Sequence, residues 1–155
     1  MDIALIEPEI PGNTGSVGRV CVGTGTTLHL VGRLGFSIDD KAVRRAGLDY
    51  WKDVQLVVHE DVEQWFEAFK DRRMHLFSSH GTVRYDRVQY GQDDVLVFGS
   101  ETKGLPRWLH ERFAGEMVYL PINPSIRSLN LANAASVALF EALRQADFSG
   151  VRNSR

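Results

Sequence analysis

The feature that most constrains this chain is a series of short, almost wholly apolar segments, each followed by a stretch of helical character. The apolar segments are Ile3–Ile6, Leu28–Val31, Gln55–Val58, Met74–Phe77, Val95–Phe98 and Val118–Leu120. Each is short for a helix, and a strand with apolar side chains at successive positions needs cover on both faces. The intervening stretches read as helices over Thr14–Thr24, Asp40–Ala46 behind a cap at Asp39, and Val62–Phe69. A short helix opens at Pro106, and a last one runs over Leu131–Gln145. Within the third helix Val62, Trp65, Phe66 and Phe69 recur at helical spacing, and a proline suits a first helical position. Strands alternating with helices predict an α/β fold, a mostly parallel sheet with helices on both faces. No repeat, low-complexity tract or linker interrupts the pattern, so residues 1–155 read as a single domain.

In such sheets ligands bind outside the carboxyl ends of the strands. Three polar loops fall there, Asn13–Arg19, Phe98–Pro106 and Leu120–Asn133, after the first, fifth and sixth apolar segments. In the first loop Asn13 reads as an N-cap, and Gly15, Gly18 and Gly23 each cost a helix ~1 kcal/mol relative to alanine. Close backbone packing is one reason for them. Arg19 lies on the second turn after Asn13, where a guanidinium can meet an anionic ligand. In the second loop two glycines bracket polar residues, and Glu101 can orient a substrate hydroxyl. In the third, Ser128 or Asn130 can cap the last helix, whose small residues Ala132, Ala134, Ala135, Ser136 and Ala138 allow another backbone to approach.

Several familiar chemistries are excluded. No G-x-G-x-x-G follows the first strand, and Leu105 and Pro106 stand where a P-loop needs its lysine and hydroxyl residue. Ser100 is not in a nucleophile elbow. His29, His59, His75, His80 and His110 show no metal-ligand spacing and read as surface or strand-packing residues, so no metal is expected. Cys21 is the only cysteine, which rules out an internal disulfide and suits a reducing cytoplasm. Asp2 and Glu7 make the N-terminal stretch a strand rather than a signal peptide, and no apolar run nears the ~18 residues of a membrane span. The net charge is −2, so any grip on a polyanion must come from local clusters. These are Lys41 with Arg44 and Arg45, Arg72 with Arg73, Arg84 with Arg87, and Lys103 with Arg107, each of which also reads as an ordinary solvated face.

Taken together, Asn13-x-Gly15-x-x-x-Arg19, Phe98-Gly99-Ser100-Glu101-Thr102-Lys103-Gly104-Leu105-Pro106, and Leu120-Pro121 followed by Ser128-Leu129-Asn130-Leu131-Ala132-Asn133-Ala134 resemble the three motifs of the SPOUT-class RNA methyltransferases. The segments Glu7-Pro8-Glu9-Ile10-Pro11 and Arg44-Arg45-Ala46-Gly47-Leu48-Asp49-Tyr50 resemble its TrmL-type subgroup, the tRNA 2′-O-methyltransferases of the wobble nucleotide. The likeness runs from Ile3 to about Phe148.

This resemblance implies a C-terminal trefoil knot, which no rule of chain topology would suggest. It also implies a homodimer, tRNA as substrate and S-adenosylmethionine as methyl donor. The donor pocket would comprise Phe77, Ser78, Gly99, Glu101, Gly104, Leu120, Ile122, Ser128 and Leu129. Catalytic roles fall to Arg19, Asn13, Glu101, Ser128 and Asn130, and RNA contacts to Arg19, Lys41, Arg44, Arg45 and Arg127. Arginine is effectively always protonated, so Arg19 suits phosphate binding and alkoxide stabilisation better than proton removal. Phe140 stands where the subgroup often carries an aromatic hydroxyl. The alternatives are the same chemistry at another RNA site, or an RNA-binding module without activity.

Overall fold

The computed structural model describes residues 1–38, 41, 43 and 48–151, with the backbone alone at 48 and 49. The Asp39 cap, most of the Asp40–Ala46 helix, and Arg44 and Arg45 lie outside the described residues. Within them are seven strands: β1 (Asp2–Ile6), β2 (Thr27–Val31), β3 (Leu56–His59), β4 (Met74–Phe77), β5 (Val83–Arg84), β6 (Val95–Phe98) and β7 (Val118–Tyr119). All pair in parallel, in the order β3-β2-β1-β6-β4-β7-β5. The helices are α1 (Pro11–Thr24), α2 (Val62–Ala68), α3 (Arg107–Arg112) and α4 (Leu131–Gln145), with 3₁₀ turns at Leu48–Asp53 and Tyr85–Arg87. The sequence reading misses β5, because two residues of mixed polarity carry no strand period.

Strand side chains alternate between faces, and both faces are covered. Ile3 and Leu5 of β1, with Leu96 and Phe98 of β6, join a core containing Val17 and Cys21 of α1 and Ala135 and Leu139 of α4. Ala4 and Ile6, with Val95 and Val97, join the opposite core, made with Trp65 and Phe66 of α2 and Leu109 of α3. The aliphatic strand residues among these are at most 1% exposed, and each valine, leucine or isoleucine side chain contributes ~1.5–3 kcal/mol when fully buried. This two-sided burial is why the strands read as unbroken apolar runs. Burial also pushes the Cys21 thiol up to about 12, with the Asp2 charge a lesser cause, so the one cysteine is no nucleophile.

The β1–β6 register sets Leu5 beside Phe98, and the β4–β6 register sets Phe77 beside Phe98, whose rings stack at 4.7 Å. The carboxyl ends of β1, β6, β4 and β7 therefore lie side by side, and the loops that leave them share one edge of the sheet.

The opposite edge is held by side-chain contacts to two carboxylates. His75 Nε2 meets Asp94 Oδ2 at 2.6 Å, and His29 lies 3.3 Å from Asp2, which also pairs with Arg72. Desolvation works to raise the Asp2 carboxyl, but hydrogen bonds from His29 and Arg72 and the Arg72 charge hold it down at about 2. The unfolded chain thus binds the Asp2 proton more tightly than the native state does. The resulting stability is present above the ordinary carboxylate range and is lost as pH falls toward 2, with a size on the order of 1–2 kcal/mol after screening. Urea unfolding should show Asp2→Asn less stable than wild type at pH 7, with the gap closing as pH approaches 2.

Candidate active site

Loop one (Glu7–Ile10) leaves β1 and leads into α1, loop two (Gly99–Pro106) leaves β6, and loop three (Leu120–Asn130) leaves β7. One chain of hydrogen bonds ties them together. At the start of α4 the Asn130 side-chain oxygen accepts from the main-chain N–H groups of Ala132 (2.9 Å) and Asn133 (3.3 Å). Its amide nitrogen then donates to Asn13 Oδ1 at 2.8 Å, and Asn13 Nδ2 donates to Glu101 Oε1 at 3.0 Å. The main-chain contacts fix the orientation of Asn130, and that fixes Asn13 in turn. Every donor points toward the carboxylate, so the bonds polarise one another in one direction.

Glu101 also accepts from the main-chain N–H groups of Glu9 (2.7 Å) and Ile10 (3.2 Å). In return the Glu9 carboxylate accepts from the Thr102 N–H at 2.9 Å and from its hydroxyl. Those bonds from Thr102 hold the Glu9 carboxyl below the usual range. Loops one and two are thus clasped reciprocally, and Glu9 and Thr102 are members that sequence reasoning missed. A glutamate and a threonine 93 residues apart offer no spacing signal.

Two expectations about caps and helix starts change, and one open choice is settled. Asn13 is not the N-cap of α1: the helix starts at Pro11, Ile10 takes the cap position, and Asn13 lies inside the first turn. Its side chain is free to serve the loops because it is not capping. Between the two candidates for the α4 cap, the structure selects Asn130. Ser128 is exposed in loop three.

Among the described residues, none of the expected cationic residues joins the hydrogen bonds of this junction. Arg19 lies on α1 on the second turn after Asn13, is exposed, and sits over the ring of Tyr50. Lys41 and Arg127 are exposed.

The expected donor-pocket residues are carried by three adjacent strand ends: Phe77 and Ser78 after β4, Gly99, Glu101 and Gly104 after β6, and Leu120, Ile122, Ser128 and Leu129 after β7. Loop two is a tight hairpin, closed by mutual main-chain bonds between Ser100 and Gly104. It closes because Gly99 has no side chain: a Cβ there would lie 2.0 Å from the Gly104 carbonyl carbon. Gly104 has φ +69°, and no atom lies within 4 Å of where its Cβ would be. Leu120, Ile122 and Leu129 are half-buried, and among the described residues the N–H groups of Ile122, Ser128 and Leu129 have no hydrogen-bond partner. Apolar surface beside unpaired main-chain donors and an open glycine backbone fits an adenine-containing ligand held by main-chain groups.

Removing the central carboxylate has a calculable cost. Glu101→Ala would strand the Asn13 amide and two main-chain N–H groups, and hydrogen bonds to a charged group contribute ~1.5–3 kcal/mol each. With the partial exposure of the site, we expect a loss of about 2–3 kcal/mol, readable by denaturant titration. Glu101→Gln should retain more of that stability than Glu101→Ala.

The model of the SpoU rRNA Methylase family matches residues 1–140 of the chain. A protein of Methylovorus glucosotrophus named tRNA (cytidine(34)-2'-O)-methyltransferase is 49% identical to it, over 96% of this chain and 97% of that protein. A solved structure described as giving insights into the 2-OH methylation of C/U34 on tRNA has a TM-score of 0.89 at 38% identity. It covers 94% of this chain and 95% of its own. A SpoU methyltransferase of Streptomyces viridochromogenes, solved in complex with the cofactor AdoMet, has a TM-score of 0.82 at 26% identity, over 95% of this chain and 58% of its own.

Proposed function

The chain belongs to the SpoU rRNA Methylase family, and from that premise we propose that it is a tRNA 2′-O-methyltransferase acting on the ribose of nucleotide 34. The observation that carries the proposal is the Glu101–Asn13–Asn130 junction, which unites three loops at the carboxyl ends of β1, β6 and β7. The relatives named for methylation of cytidine 34 support this nucleotide as the target.

S-adenosylmethionine supplies an electrophilic methyl group on a sulfonium. The half-buried Leu120, Ile122 and Leu129 would cover its apolar faces, while the N–H groups of loop three and the open backbone at Gly104 would hold its polar edges. Phe77, Ser78, Gly99, Glu101 and Ser128 complete the proposed donor pocket. The strand ends keep these groups in place before any ligand arrives, and such positioning alone accounts for several kcal/mol of a transfer barrier.

Bound there, the donor would supply its methyl group to the ribose 2′-oxygen, its sulfonium becoming the neutral thioether of S-adenosylhomocysteine and the hydroxyl proton passing to water. Arg19 would bind the neighbouring phosphate and stabilise negative charge developing on that oxygen. Asn13, Glu101 and Asn130 act as positioning residues, because their side chains are occupied with one another. Ser128, exposed two residues before Asn130, would orient the ribose with its hydroxyl. Lys41, Arg44, Arg45 and Arg127 would extend the contact along the RNA backbone, in a single domain working in the cytoplasm.

A homodimer with a knotted C-terminal half completes the proposal. The outward face of α4 exposes Val137 and Phe140, with the Phe148 ring 6.4 Å from that of Phe140. Such a face supports burial against a second copy. β7 enters between β4 and β5, strands that precede it together in the chain, an order suited to threading.

The test is to incubate the purified protein with labelled S-adenosylmethionine and bulk tRNA, then map the label by nuclease digestion and mass spectrometry. A 2′-O-methyl group at nucleotide 34 is expected. Label at another nucleotide would overturn the assigned target, and no label in any RNA would overturn the activity.

A further inference from the structure

Arg19 is aimed by a contact made one residue earlier in the chain. Gly18 gives α1 a notch into which the Trp51 ring fits: a Cβ at position 18 would lie 2.7 Å from Trp51 Cζ3 and 3.3 Å from Val54 Cγ2. The 3₁₀ turn Leu48–Asp53 is thereby keyed onto the helix at this notch. Sequence neighbours of the two keyed residues then meet. Arg19 follows Gly18, Tyr50 precedes Trp51, and the Arg19 Cζ lies 5.3 Å from the centre of the Tyr50 ring. Tyr50 is 45% exposed, so the stacked pair sits at the surface. Among the described residues, no carboxylate pairs with Arg19.

We propose that Tyr50 is the positioning residue for Arg19, holding its guanidinium ready for the phosphate beside the target ribose. The proposal rests on the reading of Arg19 given above. An aromatic face restrains a guanidinium without neutralising it, whereas a carboxylate would have to be displaced by the phosphate. The ring attracts the cation through its π face and takes up none of its N–H donors, which stay available to a phosphate. The long side chain therefore loses part of its rotamer freedom before RNA binds, so less is lost on binding. The role needs an aromatic ring and not the hydroxyl, which makes it separable from a hydrogen-bonding role.

The full-length protein carrying Tyr50→Leu, Tyr50→Phe or Tyr50→Trp tests this, with tRNA and S-adenosylmethionine as probes. Tyr50→Leu should lower kcat/KM for tRNA about fivefold, equivalent to ~1 kcal/mol, with the donor Kd and the melting temperature nearly unchanged. The Phe and Trp variants should retain most of the activity. Tyr50→Leu combined with Arg19→Ala should bind tRNA no more weakly than Arg19→Ala alone. Equal losses in the Phe and Leu variants, or additive losses in the double variant, would overturn the proposal.

A second readout needs no RNA. In ¹⁵N-labelled protein the Arg19 Nε–Hε resonance should show a ring-current shift and restricted motion, both retained in Tyr50→Phe and lost in Tyr50→Leu. An Arg19 signal unaffected by Tyr50→Leu would overturn the positioning role, whatever the substrate. Failure of the wild type to methylate RNA would instead overturn the function reading.

Discussion

Arg19→Ala is expected to lower the rate of methyl transfer by about 10²–10³-fold, the usual cost of removing one donor that meets developing charge. The donor Kd should stay within about twofold of wild type, because the side chain lies on α1 over Tyr50, apart from the loops proposed to hold the donor. Single-turnover assays with labelled S-adenosylmethionine would measure the first quantity and calorimetry the second. Arg19→Lys should fall between the two, since an ammonium keeps the charge but lacks the flat fork that meets a phosphate at two points. Normal turnover in the alanine variant would remove Arg19 from the mechanism, and lost donor binding would move it into the donor pocket.

Gly99→Ala is expected to have the largest effect on the fold of the site. The added Cβ would lie 2.0 Å from the Gly104 carbonyl carbon and 2.2 Å from the Leu105 nitrogen. Both are main-chain atoms of the Ser100–Gly104 hairpin, so no side chain can swing aside to make room. Overpacking against a fixed backbone costs at the upper end of the ~1–3 kcal/mol range and beyond. For a chain of this size that corresponds to a fall of roughly 10 °C in Tm. Opening the hairpin would also displace Glu101 and Gly104, so the rise in Tm on adding S-adenosylmethionine should disappear. Gly104→Ala is the matched control: its cost is the positive φ alone, about 1 kcal/mol. A Gly99→Ala protein that keeps the donor-induced shift would show that hairpin geometry does not build the donor site.

The two variants probe different kinds of information. Arg19 stands out in the sequence because a long cation follows the loop after the first strand, and a resemblance gives it a role. Its surroundings do not stand out: no spacing in the sequence sets Tyr50 beside it. The glycines in α1 are visible as oddities of composition, yet only the structure separates them. Gly18 receives the Trp51 ring, while nothing lies within 4 Å of a Cβ at Gly23. Ser128 and Asn130 are equally plausible caps by residue type, and the path of loop three selects Asn130.

What the sequence determines by itself is the α/β class, the residues of the buried strands, and the three loops that can form a site. Those follow from local periodicity: a strand covered on both faces must be apolar at successive positions, and its exits must be polar. What the tertiary structure decides is which loops meet. β6 pairs directly with β1, and only that neighbourhood brings Glu101 to Asn13 across 88 residues and lets Glu9 and Thr102 clasp. The keying of Trp51 onto Gly18, which sets Tyr50 beneath Arg19, is of the same kind. Strand order and the docking of a turn on a helix depend on how distant segments share one core, and no window along the chain contains both partners.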